Sequence, residues 1–255
     1  MNNSKSEANL IEDIVDNISR RLINLLPSVI GDQLVGIEPR VEEIYKLLEL
    51  ELDDRVTFVG ICGMGGIGKT TIARLVYERL SNKYEGSCFL ANVREIFSEK
   101  RGVVHLQQML LTKILKVTNL NICDGYEGIS LIRRRLCKKK VFLVLDDVDQ
   151  LEQLEQLAGI NDWFGSGSRI VITTRDEHVL VSHGIKNLYS VQGFNYYEAQ
   201  SLFRLKAFKN IQQTTDYVEL LEDTVRYANG LPLALEVLGS LLCDRSVNQW
   251  KSALK

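Results

Sequence analysis

The amino-acid sequence predicts an α/β fold, in which a five-stranded parallel sheet is flanked by helices and followed by a small all-helical subdomain. Short apolar runs alternate with helical patterns from Val56 to Val191, and this alternation is typical of a parallel sheet covered by helices. After Val191 only helical patterns remain. We therefore expect an α/β domain at 34–193 and a helical subdomain at 194–255.

Each element has its own signal in the chain. Residues 1–33 carry apolar side chains at helical spacing and then Pro27 and Gly31, which predicts an N-terminal linker helix that ends there. The predicted strands are the apolar runs 56–61, 87–90, 141–145, 169–173 and 188–191. Helical spacing of apolar residues predicts helices at 41–50, 71–80, 104–116, 127–138, from 151, and at 195–208, 215–229 and 231–242. The run 141–145 is apolar at every position, as in a strand buried on both faces.

A glycine-rich loop lies between the first predicted strand and the helix after it. It matches the pattern G-x-x-x-x-G-K-[ST] through the consecutive residues Gly63, Met64, Gly65, Gly66, Ile67, Gly68, Lys69, Thr70 and Thr71. Glycines let backbone N–H groups converge on an anion, and the helix N-terminus adds free donors and a positive dipole end. In this pattern Lys69 reaches the β- and γ-phosphates and the Thr70 hydroxyl holds Mg²⁺. The strand–loop–helix context favours a nucleoside di- or triphosphate site, in a P-loop NTPase fold, over a glycine turn that binds nothing.

Two carboxylates follow the most apolar strand, and open α/β sheets place their ligands at that end of a strand. We expect Asp146 to hold Mg²⁺, directly or through water, and Asp147 to polarise the attacking water. An ordinary Asp-Asp turn is the alternative, which the pairing with the glycine loop disfavours. Arg175 follows the next strand. If that strand lies between the other two, Arg175 points at the terminal phosphate, and spacing alone leaves this role and a surface salt bridge equally open.

Composition limits the classes of function. A formal net charge of -2 over 255 residues indicates no bulk attraction to nucleic acid or to an anionic membrane. The basic runs 133–135 and 138–140 are therefore interpreted as a solvated helix face and not as a nucleic-acid site. The five cysteines show no metal spacing and fit a reducing compartment, and no run predicts a signal peptide or a membrane span. We expect a cytoplasmic or nuclear protein.

Several ordered motifs resemble the NB-ARC nucleotide-binding module of plant intracellular immune receptors. They are the segment 34–40, the glycine loop 63–71, and the segments 140–149, 165–176 and 230–234, so the resemblance covers about residues 34–255. Asp149 and the segment 89–94 are similar to the receptor class with an N-terminal TIR domain. Residues 1–33 resemble the linker that follows that domain.

The resemblance implies a switch, bound to ADP at rest and to ATP when active, that slow Mg²⁺-dependent hydrolysis resets. It places Val35 beside the adenine and Pro232 near the adenine or ribose, although proline also suits a plain helix start. As partners it implies other domains of the receptor, or a homo-oligomer in the ATP state. An autonomous P-loop ATPase is the alternative, and turnover distinguishes the two. Nothing in the sequence resembles the family's TIR domain or its later domains, so we expect a fragment or a truncated form.

Overall fold

A parallel sheet forms the centre of the protein. The computed structural model describes residues 34–52, 54–118, 120–159, 162–208 and 217–253. The strands are β1 (Thr57–Cys62), β2 (Gly86–Leu90), β3 (Val141–Val148), β4 (Arg169–Thr174) and β5 (Asn187–Ser190). They pair in the order β2-β3-β4-β1-β5, and every pair is parallel. Strand β4 therefore lies between β1 and β3, which is the condition that the interpretation of Arg175 required.

Helices connect and follow the strands. Their bounds are α1 (Ile37–Leu48), α2 (Lys69–Leu80), α3 (Val93–Phe97), α4 (Gly102–Leu115), α5 (Gly125–Leu136), α6 (Leu151–Leu157), α7 (Glu177–Ser182), α8 (Tyr196–Ala207), α9 (Val218–Ala228), α10 (Pro232–Leu242) and α11 (Val247–Ala253). A short 3₁₀ turn, Ser81–Lys83, follows α2. Within the described ranges no helix combines the length and apolarity needed to cross a membrane.

The core of the α/β part follows from the apolar strands. All six residues of β4 are buried, and β3 is buried except at Asp147. One cluster of buried side chains joins the sheet to α4, α5 and α6. Such burial on both faces explains why β3 reads as a continuous apolar run and not as an alternating one.

A second cluster of buried side chains lies in the helices after β5. Its centre is Trp250, which contacts Phe203, Phe208 and Tyr217 and donates a hydrogen bond from its indole to the Leu242 carbonyl. This separate core agrees in position with the predicted helical subdomain. The boundary at 193/194 stays a prediction.

A buried arginine joins the loop between α1 and β1 to the sheet. The Arg169 side chain is 1% exposed and donates to the backbone carbonyls of Leu48, Glu49, Leu52, Arg55 and Ser168. A buried guanidinium needs acceptors for its five N–H donors, and this loop supplies them. Arg169 therefore has a structural role at the amino end of β4.

Several predicted boundaries differ from the structure. Helix α1 begins at Ile37 and not at residue 41, because Pro39 lies in its first turn, where a missing N–H costs nothing. The short helices α3, α7 and α11 were not predicted, since five to seven residues give too few turns for a periodic pattern. The predicted linker helix within 1–33 lies outside the described residues.

Candidate nucleotide-binding site

The glycine loop joins β1 to α2 at the carboxyl edge of the sheet. Three of its glycines have positive φ: Gly63 at 150°, Gly66 at 78° and Gly68 at 100°. Gly68 is the N-cap of α2, so the free N–H groups of that helix face the loop. This is the geometry of an anion site at a helix N-terminus.

The Lys69 side chain closes the loop. Its Nζ donates to the carbonyls of Gly63 at 2.8 Å and Met64 at 2.9 Å, and the residue is 7% exposed. Burial lowers the pKa of Lys69, and the nearby charge of Arg175 lowers it further. An ammonium group in this position is poorly solvated, and the neutral loop carbonyls stabilise its charge only in part. An incoming phosphate would offer it a fully charged partner.

Three side-chain oxygens meet where β3 and β4 face the start of α2. The Asp146 Oδ1 accepts hydrogen bonds from Thr70 Oγ1 at 2.8 Å and from Thr173 Oγ1 at 2.7 Å, and Asp146 is 2% exposed. A threonine hydroxyl and a carboxylate are hard oxygen donors, the type that Mg²⁺ prefers. Within the described ranges no group of three or more His, Cys, Asp or Glu could hold a metal ion. These donors fit Mg²⁺, which keeps several waters and takes its remaining ligands from phosphates.

The neighbouring carboxylate has a different environment. A register shift in β3 between Leu145 and Val148 accompanies a positive φ of 57° at Asp147, so Asp146 and Asp147 do not simply alternate across the sheet. The Asp147 N–H donates to Thr173 Oγ1 at 2.8 Å. Its carboxylate lies 2.8 Å from Arg94 Nη2 and 3.6 Å from Arg175 Nε.

Arg175 lies above the glycine loop as well as beside Asp147. A Cβ placed on Gly65 would lie 3.4 Å from Arg175 Nη1. The structure therefore brings Arg175, Lys69 and both aspartates to one edge of the sheet. Arg94, which sequence reasoning missed, joins them from the first turn of α3.

The remaining loop residues contribute backbone, packing or exposed surface. Met64 is 63% exposed and offers its carbonyl to Lys69, whereas Ile67 is buried against the domain core. Thr71 lies on the exposed side of α2. None of these three side chains contacts Asp146 or Asp147 in the described hydrogen bonds.

The first turn of α10 contacts the glycine loop. Pro232 occupies its first position, and the next residue, Leu233, donates its backbone N–H to the Gly66 carbonyl at 3.2 Å. Val35, at the other predicted adenine position, packs against the helical cluster that contains Phe203. Val35 and Pro232 thus both lie at the helical part, but the direct hydrogen bond to the glycine loop comes from Leu233.

A charged network joins α1 to α8. Arg40 donates to both carboxylate oxygens of Glu198, at 2.8 and 3.2 Å, and its guanidinium lies 4.9 Å from the centre of the Phe194 ring. Glu198 also completes a capping box with Asn195 at the start of α8. The hydrogen bonds from Arg40 hold the pKa of Glu198 below its ordinary value.

A cavity of about 260 Å³ lies elsewhere, at the amino ends of β1 and β5. Thr57, Phe58, His183 and Asn187 are among the residues that line it. Since the glycine loop follows the carboxyl end of β1, this cavity is at the opposite edge of the sheet and takes no part in the site described above.

The chain is similar over nearly all of its length to proteins named as resistance proteins. The chain is 46% identical over 250 residues to the disease resistance protein RPV1 of Vitis rotundifolia, covering 98% of this chain and 18% of the relative. It is 41% identical over 261 residues to the TMV resistance protein N of Nicotiana glutinosa, covering 100% of this chain and 22% of the relative. The chain therefore spans about a fifth of the length of these relatives.

A solved structure, that of Cdc6p from Pyrobaculum aerophilum, aligns with a TM-score of 0.59 and 17% identity, covering 86% of this chain and 63% of the other. It shows the fold alone, and the predicted α/β fold with a five-stranded parallel sheet is confirmed. The family model of the NB-ARC domain matches residues 37–213. With that match over more than half of its length, the chain belongs to the NB-ARC family.

Proposed function

We propose that this chain is the ADP/ATP-binding switch of a plant intracellular immune receptor of the TIR class. The observation that carries the proposal is the convergence of Lys69, Thr70 and Asp146 at the carboxyl edge of the sheet. The relatives named as resistance proteins support the biological setting, a defence response. We place the protein in the cytoplasm or nucleus, as expected from its sequence.

Each residue has a proposed task. The N–H groups of the loop and the Lys69 ammonium bind the β- and γ-phosphates, and Thr70 with Asp146 would hold Mg²⁺. Bound Mg²⁺ neutralises charge on the phosphates. Asp147 and Arg175 would sense the terminal phosphate or assist its hydrolysis, while Val35 and Pro232 would border the adenine.

The switch interpretation rests on how the helical part meets the loop. The α10 turn touches Gly66 through Leu233, and α8 is joined to α1 through Arg40. A nucleotide in the loop would therefore lie beside the first turn of α10, and we propose that the ADP and ATP states differ in the position of the helical part relative to the loop. Slow hydrolysis would return the ATP state to the ADP state, and other receptor domains or further copies of the chain would respond to the change.

The test is binding of a fluorescent ADP analogue to a Lys69→Arg variant. Arginine cannot present a compact charge inside the loop, so we expect affinity to fall by about 10- to 100-fold or more. Lys46→Arg is the matched control, because Lys46 lies on the exposed face of α1 and pairs only with Glu43 in the described salt bridges. Unchanged affinity in a folded Lys69→Arg protein would refute the site.

Turnover separates the switch from an autonomous ATPase. A switch is expected to release phosphate slowly in a single turnover and then to retain the ADP. An ATPase enzyme instead shows sustained multiple turnovers. Phosphate release under excess ATP, followed with a phosphate sensor, measures this directly.

A further inference from the structure

The Asp147 carboxylate lies between two guanidinium groups that come from different parts of the chain. Arg94, in the first turn of α3, lies 2.8 Å from Asp147 Oδ2, and Arg175, after β4, lies 3.6 Å from Oδ1. The Asp147 side chain is 22% exposed, whereas those of Arg94 and Arg175 are 42% and 55% exposed. Two cations thus share one carboxylate beside the glycine loop.

The backbone fixes this carboxylate in place. Asp147 has a left-handed φ of 57°, and its N–H is bonded to the same Thr173 hydroxyl that binds Asp146. Aspartate tolerates this conformation better than most residues, yet it still needs surrounding contacts to hold it. The two arginine side chains, in contrast, are 42% and 55% exposed, and their long flexible stems allow each guanidinium to change partner.

We propose that Arg94 and Arg175 together receive the terminal phosphate of a nucleoside triphosphate, and that the Asp147 carboxylate takes their charge when that phosphate is absent. This inference rests on the proposed nucleotide site and adds Arg94 to it. Guanidinium groups bind carboxylates and phosphates through the same paired N–H geometry, so one anion can replace the other. A Cβ placed on Gly65 would lie 3.4 Å from Arg175 Nη1, so the Arg175 guanidinium lies close to the glycine loop.

The arrangement makes Asp147 an internal competitor of the third phosphate. A triphosphate must draw the two arginines away from Asp147 and so break their ion pairs. The free energy of these ion pairs is therefore subtracted from the binding free energy that a triphosphate gains over a diphosphate. Once the arginines have moved, the carboxylate is released. The predicted task of Asp147, polarising the attacking water, would thus become available only in the triphosphate state.

The experiment compares the affinities of ADP and of a non-hydrolysable ATP analogue, both with Mg²⁺, for the full chain. Arg94→Gln is expected to weaken the ATP analogue by about tenfold while changing ADP by less than about twofold. Asp147→Asn is expected to raise the preference for the ATP analogue over ADP by about five- to tenfold, because the competitor has lost its charge. Arg94→Lys keeps the charge but not the paired geometry and should be intermediate.

Arg133→Gln is the control, since Arg133 pairs with Asp162 on an exposed part of α5. Circular dichroism confirms that each variant is folded. The inference is overturned if Arg94→Gln affects both nucleotides equally or neither, or if Asp147→Asn leaves the preference unchanged. Failure of the unsubstituted chain to bind either nucleotide would instead refute the proposed function.

Discussion

Three glycine-to-alanine substitutions in the phosphate loop should differ in cost in a fixed order. The three atoms nearest to a Cβ on Gly65 all belong to the long, flexible Arg175 side chain, the first of them at 3.4 Å, and Gly65 lies outside the left-handed region. At Gly68 φ is 100° and nothing lies within 4 Å, so strain acts alone. At Gly66 φ is 78°, and the Cβ would also lie 2.8 Å from the Cβ of Leu233 in α10.

The magnitudes follow from these three environments. Alanine with a left-handed φ costs about 1–2 kcal/mol. Alanine also restricts the conformations of the unfolded chain more than glycine does, which stabilises the folded state by about 0.4–1 kcal/mol. Gly65→Ala should therefore be neutral or slightly stabilising, and Gly68→Ala should cost about 1 kcal/mol. Gly66→Ala adds the cost of displacing the first turn of α10, about 1–3 kcal/mol by analogy with overpacked cores, for a total of about 2–4 kcal/mol.

Urea denaturation of the nucleotide-free protein, followed by circular dichroism, gives the free energies of unfolding. Combining Gly66→Ala with Leu233→Gly removes the clash but keeps the strain, so a double-mutant cycle should return a favourable coupling energy of about 1 kcal/mol or more. If Gly66→Ala costs no more than Gly68→Ala, the contact between the loop and α10 does not constrain the fold, and the reasoning fails.

Two further predictions concern charged groups. Asp146→Asn should weaken Mg²⁺-dependent binding of an ATP analogue by about tenfold and Mg²⁺-free ADP binding much less. The amide oxygen can still accept a hydrogen bond from Thr70, but it lacks the charge that the metal needs. Isothermal titration calorimetry with and without Mg²⁺ measures the two affinities, and equal losses would contradict the prediction. Glu198→Gln should cost about 1–2 kcal/mol of unfolding free energy at pH 7, against less than about 0.5 kcal/mol for the exposed control Asp223→Asn. Arg40 lowers the pKa of Glu198 in the folded protein. The ionised carboxylate therefore contributes to the free energy of unfolding above the ordinary pKa of about 4.3, and this contribution is lost as the pH falls through the lower folded pKa. The free energies of unfolding of wild type and Glu198→Gln should thus converge in acid.

Patterns that repeat along the chain could be read from the sequence. All five strands lie within a few residues of their predicted positions, because each is a short apolar run next to a helical pattern. The glycine loop and Asp146 were predicted for a related reason. Their chemistry needs specific residue types at the end of a strand, and those residue types can be identified directly in the amino-acid sequence.

Contacts that depend on strand order could not be read in this way. Arg94 approaches Asp147 only because β2 is the neighbour of β3, and no local pattern reveals that pairing. The contact from Leu233 uses a backbone N–H, which carries no residue signature. By contrast, the capping box that begins at Asn195 and includes Glu198 has a readable spacing, and only its partner Arg40 required the three-dimensional structure.

The loop is held on two sides by contacts of different kinds, and this difference bears on how a nucleotide would act. Lys69 binds loop carbonyls with a charge that a phosphate would attract, whereas Leu233 binds the Gly66 carbonyl with an uncharged backbone N–H whose one hydrogen is already engaged in that bond. An arriving anion would therefore release the first contact and leave the second intact. The loop then enters the bound state with its attachment to α10 already made, which reduces the ordering cost of binding. It follows that any movement of the helical part between nucleotide states must break the Gly66–Leu233 hydrogen bond or carry the loop with it.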